Sequence, residues 1–319
     1  MKSRLTDRQK NQISRRNEAP NQHLHTGTVI THHGTELIIE AEGRLLRATA
    51  RRTLGALTTG DKIGWHTGKD QREIIEHLYP RTNTLIRPDT HGKLRLMAAN
   101  INQVLIVVAP IPWMNPNIVE QAIVATLDLP AIPLIVLNKI DELGAVEPQT
   151  QAHIEATLRL WQAQDIDILK VSAHTGEGID ALRARLANQI SMMIGLSGVG
   201  KTSLARSITA QAATAAIKAL SAHSQEGQHT TRHSTLFRLD NLEGGLIDAP
   251  GVRDFAVAAQ NVLAIDRAYP DILQVAQHCR FNNCSHKQEP DCAVLAAVAN
   301  GTIDARRFEN YQNLKNSRQ

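Results

Sequence analysis

Only three cysteines occur in the 319 residues, and all of them, Cys279, Cys284 and Cys292, lie close together. An odd, clustered set does not suit a disulfide framework, so metal binding is the better expectation. Aromatic residues make up only 3% of the chain. No run approaches the ~20 apolar residues that a membrane helix needs. The N-terminal MKSRLTDRQKNQISRR has no apolar stretch behind its charges, which argues against a secretory signal and makes the cytoplasm the expected compartment. Internal repeats and low-complexity segments are absent too. What is present is ordinary for a globular protein: 42% hydrophobic and 21% charged residues, enough for about one to three domains with a sizeable core.

The formal charge of +4 and pI near 9.0 mildly favour an anionic partner such as nucleic acid. Lys2, Arg4, Arg8, Lys10, Arg15 and Arg16 face only Asp7 and Glu18 in residues 1–22. That segment reads either as a disordered solubilising tail or as an arm that touches phosphates. From Thr26 to about Pro88, five short β-type runs (GTVITHH, TELIIEA, RLLRATA, KIGWHTG, REIIEHL) alternate with glycine-containing turns. This spacing suggests a small closed β-barrel, for which the OB-fold is a natural candidate. Beyond about Leu94 the texture changes. VLIVVAP (104–110) and PLIVLNK (133–139) read as strands buried on both faces, with helical spacing at 117–129, 147–164 and 179–189. An α/β doubly wound domain is expected to about residue 255, followed by helices around the Cys/His cluster. The expected division is a basic tail at 1–23, a barrel at 24–93, an α/β domain at 94–255 and a metal-binding domain at 256–319.

The most specific motif is Gly195-Leu-Ser-Gly-Val-Gly200-Lys201-Thr202, which fits G-x-x-x-x-G-K-[ST]. Its glycines let successive backbone N–H groups turn inward on phosphate oxygens. The expected cradle is Gly195, Ser197, Gly198, Val199, Gly200, Lys201, Thr202 and Ser203. Lys201 would supply a point charge at the β- and γ-phosphates and the Thr202 hydroxyl a Mg²⁺ ligand. An apolar stretch, Ile190 to Ile194, precedes the loop, and TSLARSITAQAATAAIKAL continues it as a helix whose N-terminus favours anions.

Asn138-Lys139-Ile140-Asp141, at the end of a buried run, fits the N-K-x-D motif that reads guanine. The Asp141 carboxylate would accept from N1–H and the exocyclic amine, the Asn138 amide would bond the purine edge, and the Lys139 stem would pack on the ring. Adenine lacks those donors and would leave the carboxylate unpaired. Val171-Ser172-Ala173 at the next strand end resembles the S-A-[KL] guanine loop, with the Ala173 N–H directed at O6. Asp248-Ala249-Pro250-Gly251 matches D-x-x-G, giving Asp248 to Mg²⁺ and the Gly251 N–H to the γ-phosphate. Within Gly227-Gln-His229-Thr230-Thr231-Arg232, a threonine can reach the same ion, Thr231 first and Thr230 second. Val252 stands where many small GTPases carry a water-orienting Gln, so another group, such as His229, or a partner is needed.

Cys279-x₄-Cys284-x-His286-x₅-Cys292 supplies three thiols and an imidazole, a closed set suited to structural Zn²⁺. His278 is the rival fourth ligand. The base-reading motifs precede the phosphate loop, the reverse of the usual order. A GTP-binding hydrolase with a circularly permuted P-loop domain is therefore the expected function. A P-loop ATPase or kinase is the second class, which Asp141 speaks against. An RNA-binding module with a weak or vestigial nucleotide site is the third, which the set Lys201, Thr202, Asp248 and Gly251 speaks against.

Together these residues resemble the RsgA (YjeQ) family of small-subunit-dependent, circularly permuted GTPases. The resemblance runs over PRTNTLIRPD, AANINQVLIVVAPIP, LNKID, VSAHTGEGI, GLSGVGKTSL, GQHTTRHSTLF, LIDAPGVRDF and the Cys/His cluster. It implies an N-terminal OB-fold, a central GTPase domain and a C-terminal, mostly helical zinc domain. It further implies a monomer that binds GTP and GDP, the 30S ribosomal subunit and 16S rRNA but no membrane, and that acts late in subunit maturation with hydrolysis stimulated by the subunit. His229 matches the histidine proposed as catalytic in the family. Ala249 replaces the usual Thr of D-T-P-G, Asn102 an Asp, Gln228 a basic residue and Thr202 a Ser. None of these removes a ligand; the charge lost at Gln228 bears on the strength of ribosomal stimulation.

Overall fold

The structure is a computed structural model that describes residues 24–33, 36–88, 94–113, 115–209, 234–239, 244–248 and 262–316. The chain divides into two units, one drawn from 1–101 with 209–250 and the other from 102–208 with 251–319.

Alternating side chains build the barrel of the first unit. Its strands are β1 (His25–His33), β2 (Glu36–Ala41), β3 (Arg44–Ala50), β4 (Lys62–Thr67) and β5 (Glu73–Leu78), closed in the order β1-β2-β3-β5-β4. Every pairing is antiparallel except β3 with β5. Val29, Leu37, Ile39, Ala41, Ala48, Ile63, Trp65 and Ile75 fill the interior. Leu37, Ile39 and Ala41 show the period of two that turns alternate residues inward. The five strands are the five β-type runs of the sequence, and closure leaves no exposed sheet edge. The turn into β4 is tight: a Cβ on Gly60, which has φ +89°, would lie 2.2 Å from the Ala99 carbonyl oxygen. Asp61 beside it is fully buried and accepts from the Thr58 N–H at 2.8 Å and from Arg81 Nε at 2.6 Å. Strands β6 (Thr84–Pro88) and β7 (Leu94–Ala99) form a separate two-stranded ribbon, which the sequence pattern did not separate from the barrel.

The second unit carries the α/β layer. Parallel strands β8 (Gln103–Val108), β9 (Ile132–Leu137), β10 (Asp167–Lys170) and β11 (Ile190–Ile194) lie in the order β10-β9-β8-β11. Their crossovers are α1 (Pro116–Asp128), α2 (Pro148–Gln162) and α3 (Ile179–Leu186), and α4 (Lys201–Ile208) follows β11. Helix α1 begins where Asn115 accepts from the Asn117 N–H at 2.9 Å and Pro116 takes the first turn, an ordinary N-terminal signal. All six residues of β8 are buried. Helices α5 (Val262–Ala268), α6 (Pro270–Ala276), α7 (Ala293–Ala299) and α8 (Ala305–Asn316) complete this unit, with Tyr269, Ile272, Val294 and Tyr311 in their core. The last two strands, β12 (Thr235–Arg238) and β13 (Gly245–Asp248), form an antiparallel pair in the first unit. Among the described residues, no helix is long and apolar enough to cross a membrane.

Candidate functional site

Strand β11 delivers the chain into the phosphate loop, and the loop's shape requires its glycines. Gly195 has φ +146°, and a Cβ there would sit 2.3 Å from the Val107 carbonyl oxygen. A Cβ on Gly200, at φ +89°, would be 2.2 Å from Asn138 Nδ2. Helix α4 starts at Lys201, with Thr202 and Ser203 exposed in its first turn. The Lys201 ammonium donates to the carbonyls of Gly195, at 2.7 Å, and Leu196, at 2.6 Å. Ser197 and Gly198 are exposed at the loop's crest, while Val199 is buried and anchors it.

The residues expected to read a base sit at the ends of β9 and β10. Asn138 is 1% exposed. Its Nδ2 donates to the Val199 carbonyl at 2.9 Å, and its Oδ1 accepts from the Ala173 N–H at 3.1 Å. One side chain thus ties the phosphate loop to both base-reading loops. Lys139 adopts a left-handed conformation, φ +62°, and its Nζ donates to the Ile111 carbonyl at 3.2 Å. Ser172 is fully buried, and its hydroxyl oxygen accepts from the N–H groups of His174 and Thr175 at 3.2 and 3.0 Å. The hydroxyl in turn bonds Asp141, and that hydrogen bond foremost holds the exposed Asp141 carboxyl below the ordinary carboxylate range. That bond favours the charged form of Asp141, the form that accepts two donors from one base edge. The Ala173 N–H, expected on a purine oxygen, here bonds Asn138; a base would have to share or replace that bond.

No residue of the loop between β8 and α1 was given a site role by sequence reasoning. Its Ile111 carbonyl holds Lys139, and Pro112 Cδ would lie 3.6 Å from a Cβ on Gly198. It therefore meets Lys139 and the glycine-rich loop together. Its only sequence sign is the Pro pair of APIP directly after a buried strand.

Asp248 is exposed at the end of β13, opposite Thr235 in the strand pair. His229, Thr230, Thr231, Ala249, Gly251 and Val252 lie outside the described residues.

The cysteine cluster closes as its spacing suggested. The ligand atoms of Cys279, Cys284, His286 and Cys292 all lie within 4.8 Å of one another. His286 Nδ1 is 3.6 Å from Cys279 Sγ and 3.5 Å from Cys292 Sγ, and the two sulfurs are 3.9 Å apart. Zn–S and Zn–N bonds in tetrahedral geometry put ligand atoms about 3.6–3.8 Å apart, so the four residues fit Zn²⁺. Burial foremost lowers the His286 pKa, which favours the neutral imidazole that binds metal. The rival, His278, is exposed and outside the group. Glu289 shapes the intervening loop: Oε1 accepts from the Ser285 N–H at 2.7 Å and Oε2 from the Lys287 N–H at 2.9 Å.

Three comparisons bear on this arrangement. The sequence model of the RsgA GTPase family matches residues 78–258. The small ribosomal subunit biogenesis GTPase RsgA of Actinobacillus pleuropneumoniae serotype 5b is 39% identical over 299 residues, covering 92% of this chain and 85% of that protein. Its counterpart in Ectopseudomonas mendocina is 35% identical over 294 residues, covering 91% and 84%. Among solved structures, YjeQ from Thermotoga maritima superposes with a TM-score of 0.73 at 25% identity, covering 92% of this chain and 98% of that one. YloQ, a circularly permuted GTPase, shares the fold with a TM-score of 0.67 at 20% identity, covering 94% and 98%.

Proposed function

The chain belongs to the RsgA GTPase family, and on that premise we propose that it hydrolyses GTP in the service of small ribosomal subunit maturation. The observation that carries this reading is the Asn138 side chain, which joins the phosphate loop at Val199 to the guanine loop at Ala173. An ATP-binding P-loop protein has no use for that join beside an ionised Asp141.

The residue roles follow from the motifs. Asn138, Lys139, Asp141, Ser172 and Ala173 take guanine. Gly195, Ser197, Gly198, Val199, Gly200, Lys201, Thr202 and Ser203 take the phosphates, with the Gly251 N–H at the γ-phosphate. Thr202, Asp248 and Thr231, with Thr230 as the alternative, are hard oxygen donors suited to Mg²⁺. When bound with GTP, that ion neutralises charge developing on the β- and γ-oxygens. Cys279, Cys284, His286 and Cys292 hold a structural Zn²⁺. His229 is assigned to the attacking water. We assign the barrel, with its exposed Arg44, Arg51, Arg52, Lys62, Lys69 and Arg72, and the basic N-terminal segment to 16S rRNA, in a cytoplasmic monomer. The functional segments are 1–23, 24–93, 94–255 and 256–319.

The test is GTP turnover with and without purified small subunits. Slow turnover alone and a strong rise with subunits is the expected result. GTP binding without turnover under either condition would instead leave an RNA-binding assembly factor.

A further inference from the structure

The strand pair that ends at Asp248 is fastened to the barrel by buried polar contacts. Thr31 in β1 and Thr59 in the turn before β4 are 1% and 0% exposed. Both hydroxyls donate to one acceptor, the Ser234 carbonyl, at 3.1 and 2.7 Å. The Thr235 hydroxyl donates onward to Thr31 Oγ1 at 3.3 Å. At the other end of β12, Arg238 Nε donates to the Glu40 carboxylate of β2. The β12–β13 register places Thr235 directly opposite Asp248.

These contacts have no motif behind them. Two barrel segments that are distant in sequence, one a strand and one a turn, converge on a single carbonyl. The bonds are directional and sit in a low-dielectric interior, where removing the donor leaves that carbonyl unsatisfied. The carbonyl belongs to the residue next to the one that pairs with Asp248. A shift of the barrel wall at Thr31 and Thr59 is therefore passed through one residue of extended backbone to the cross-strand partner of Asp248.

We propose that Thr31 and Thr59 are positioning residues for Asp248: they set the place of the Mg²⁺-binding carboxylate relative to the barrel, and so connect whatever docks on the barrel to GTP turnover. This rests on the reading of Asp248 as the Mg²⁺ residue. The two threonines touch neither nucleotide nor metal. Their effect is expected in the Mg²⁺ requirement and in the stimulated rate, not in nucleotide affinity.

The experiment uses the full chain. In Thr31→Val/Thr59→Val, GTP affinity measured in EDTA stays within about twofold of the parent. The Mg²⁺ concentration for half-maximal turnover rises about tenfold, the scale seen when a metal site's supporting partners are removed. The ratio of subunit-stimulated to basal turnover falls alongside it. Thr31→Ser/Thr59→Ser restores both, because serine keeps the hydroxyl. Glu40→Gln, which loosens the other end of β12 at a more exposed position, moves both readouts the same way by less and keeps the test available if the double valine variant fails to fold. An unchanged Mg²⁺ requirement and an unchanged stimulation ratio in a folded variant overturn the proposal. Asp248→Ala is the separate control: if it leaves the parent's Mg²⁺ dependence intact, the reading of Asp248 falls, and the proposal with it.

Discussion

Asp141 and Asn138 are three positions apart and live in different environments, and the division of labour between them follows from that. Asn138 is buried, and its amide is spent on the Val199 carbonyl and the Ala173 N–H. It holds loops together. Asp141 is exposed, and the Ser172 hydroxyl foremost favours its charged form, so it is the group available for the base-reading role proposed for it. Asp141→Asn should lower GTP affinity by at least about 100-fold, because an amide opposes the guanine donors with a donor of its own. The same variant should gain xanthine nucleotides, whose base offers an acceptor at that edge. Competition binding with GTP and XTP checks this, and an unchanged preference removes the guanine reading. These residues were legible in the sequence because each motif is a short local string whose chemistry needs those residue types. The neighbours they lean on were not. Nothing local marks Ile111 as the carbonyl that takes the Lys139 ammonium, since the contact depends on two strands lying side by side.

Helix α1 shows what helical spacing leaves open at the scale of an element. NIVEQAIVATLDL has that spacing, and Glu120 within it is 7% exposed. Its Oε2 accepts from the Tyr269 hydroxyl and from Asn310 Nδ2, both at 2.7 Å, and its Oε1 from Arg307 Nη1 at 3.4 Å. Arg307 also donates to Asp271 from Nε at 2.9 Å and from Nη2 at 3.0 Å. Burial foremost drives the Tyr269 pKa up, so its hydroxyl stays a donor. The network ties α1 to the loop before α6 and to α8, which is how the C-terminal helices attach to the α/β layer. Glu120→Ala should cost about 1–3 kcal/mol in urea unfolding, since it leaves the buried Tyr269 hydroxyl without its acceptor, takes one acceptor from Asn310 and removes one of the two carboxylates that face Arg307. Glu120→Gln, which keeps the shape and an acceptor, should cost visibly less; equal costs would mean that the charge, lost in both variants, rather than packing holds the joint. The metal loop hangs from the same helix, with Gln312 Nε2 donating to the Ser285 carbonyl at 3.0 Å. One tightly held Zn²⁺ per chain is expected, and its removal by a chelator should unfold α6 and α7, read as a loss of helical circular dichroism. Elemental analysis finding no zinc in freshly purified protein would defeat this. Helix and strand positions were legible from periodicity and the Cys/His site from spacing. The parallel β3–β5 closure of the barrel, the separate β6–β7 ribbon and the buried Glu120 network were not, because each is decided by partners far away in sequence.

Over the whole molecule, the motifs expected to read guanine, at Asn138 and Ser172, precede the phosphate loop at Gly195 and the motif at Asp248. Linear motif order alone announced the permutation, and the described residues place Asp248 in the same unit as the barrel. Hydrolysis also needs the attacking water placed. Val252 stands at the position of the usual water-orienting Gln and offers no hydrogen bond. The candidate singled out from the sequence is His229, five residues before Ser234, the residue whose carbonyl the barrel threonines hold. A histidine that acts on the water contributes only when it is held near the γ-phosphate, so the isolated protein is expected to turn over GTP slowly and the subunit-bound protein quickly. The expected contribution of such a group is about 10²–10⁴-fold. His229→Ala should therefore keep GTP affinity and association with the small subunit while losing most of the stimulated rate, and its already slow basal rate should change little. Single-turnover phosphate release at saturating subunit distinguishes the outcomes, because it reads the chemical step rather than product release. A variant that binds subunits and retains full stimulation would place the catalytic group elsewhere, on the ribosome itself or on a residue not yet singled out.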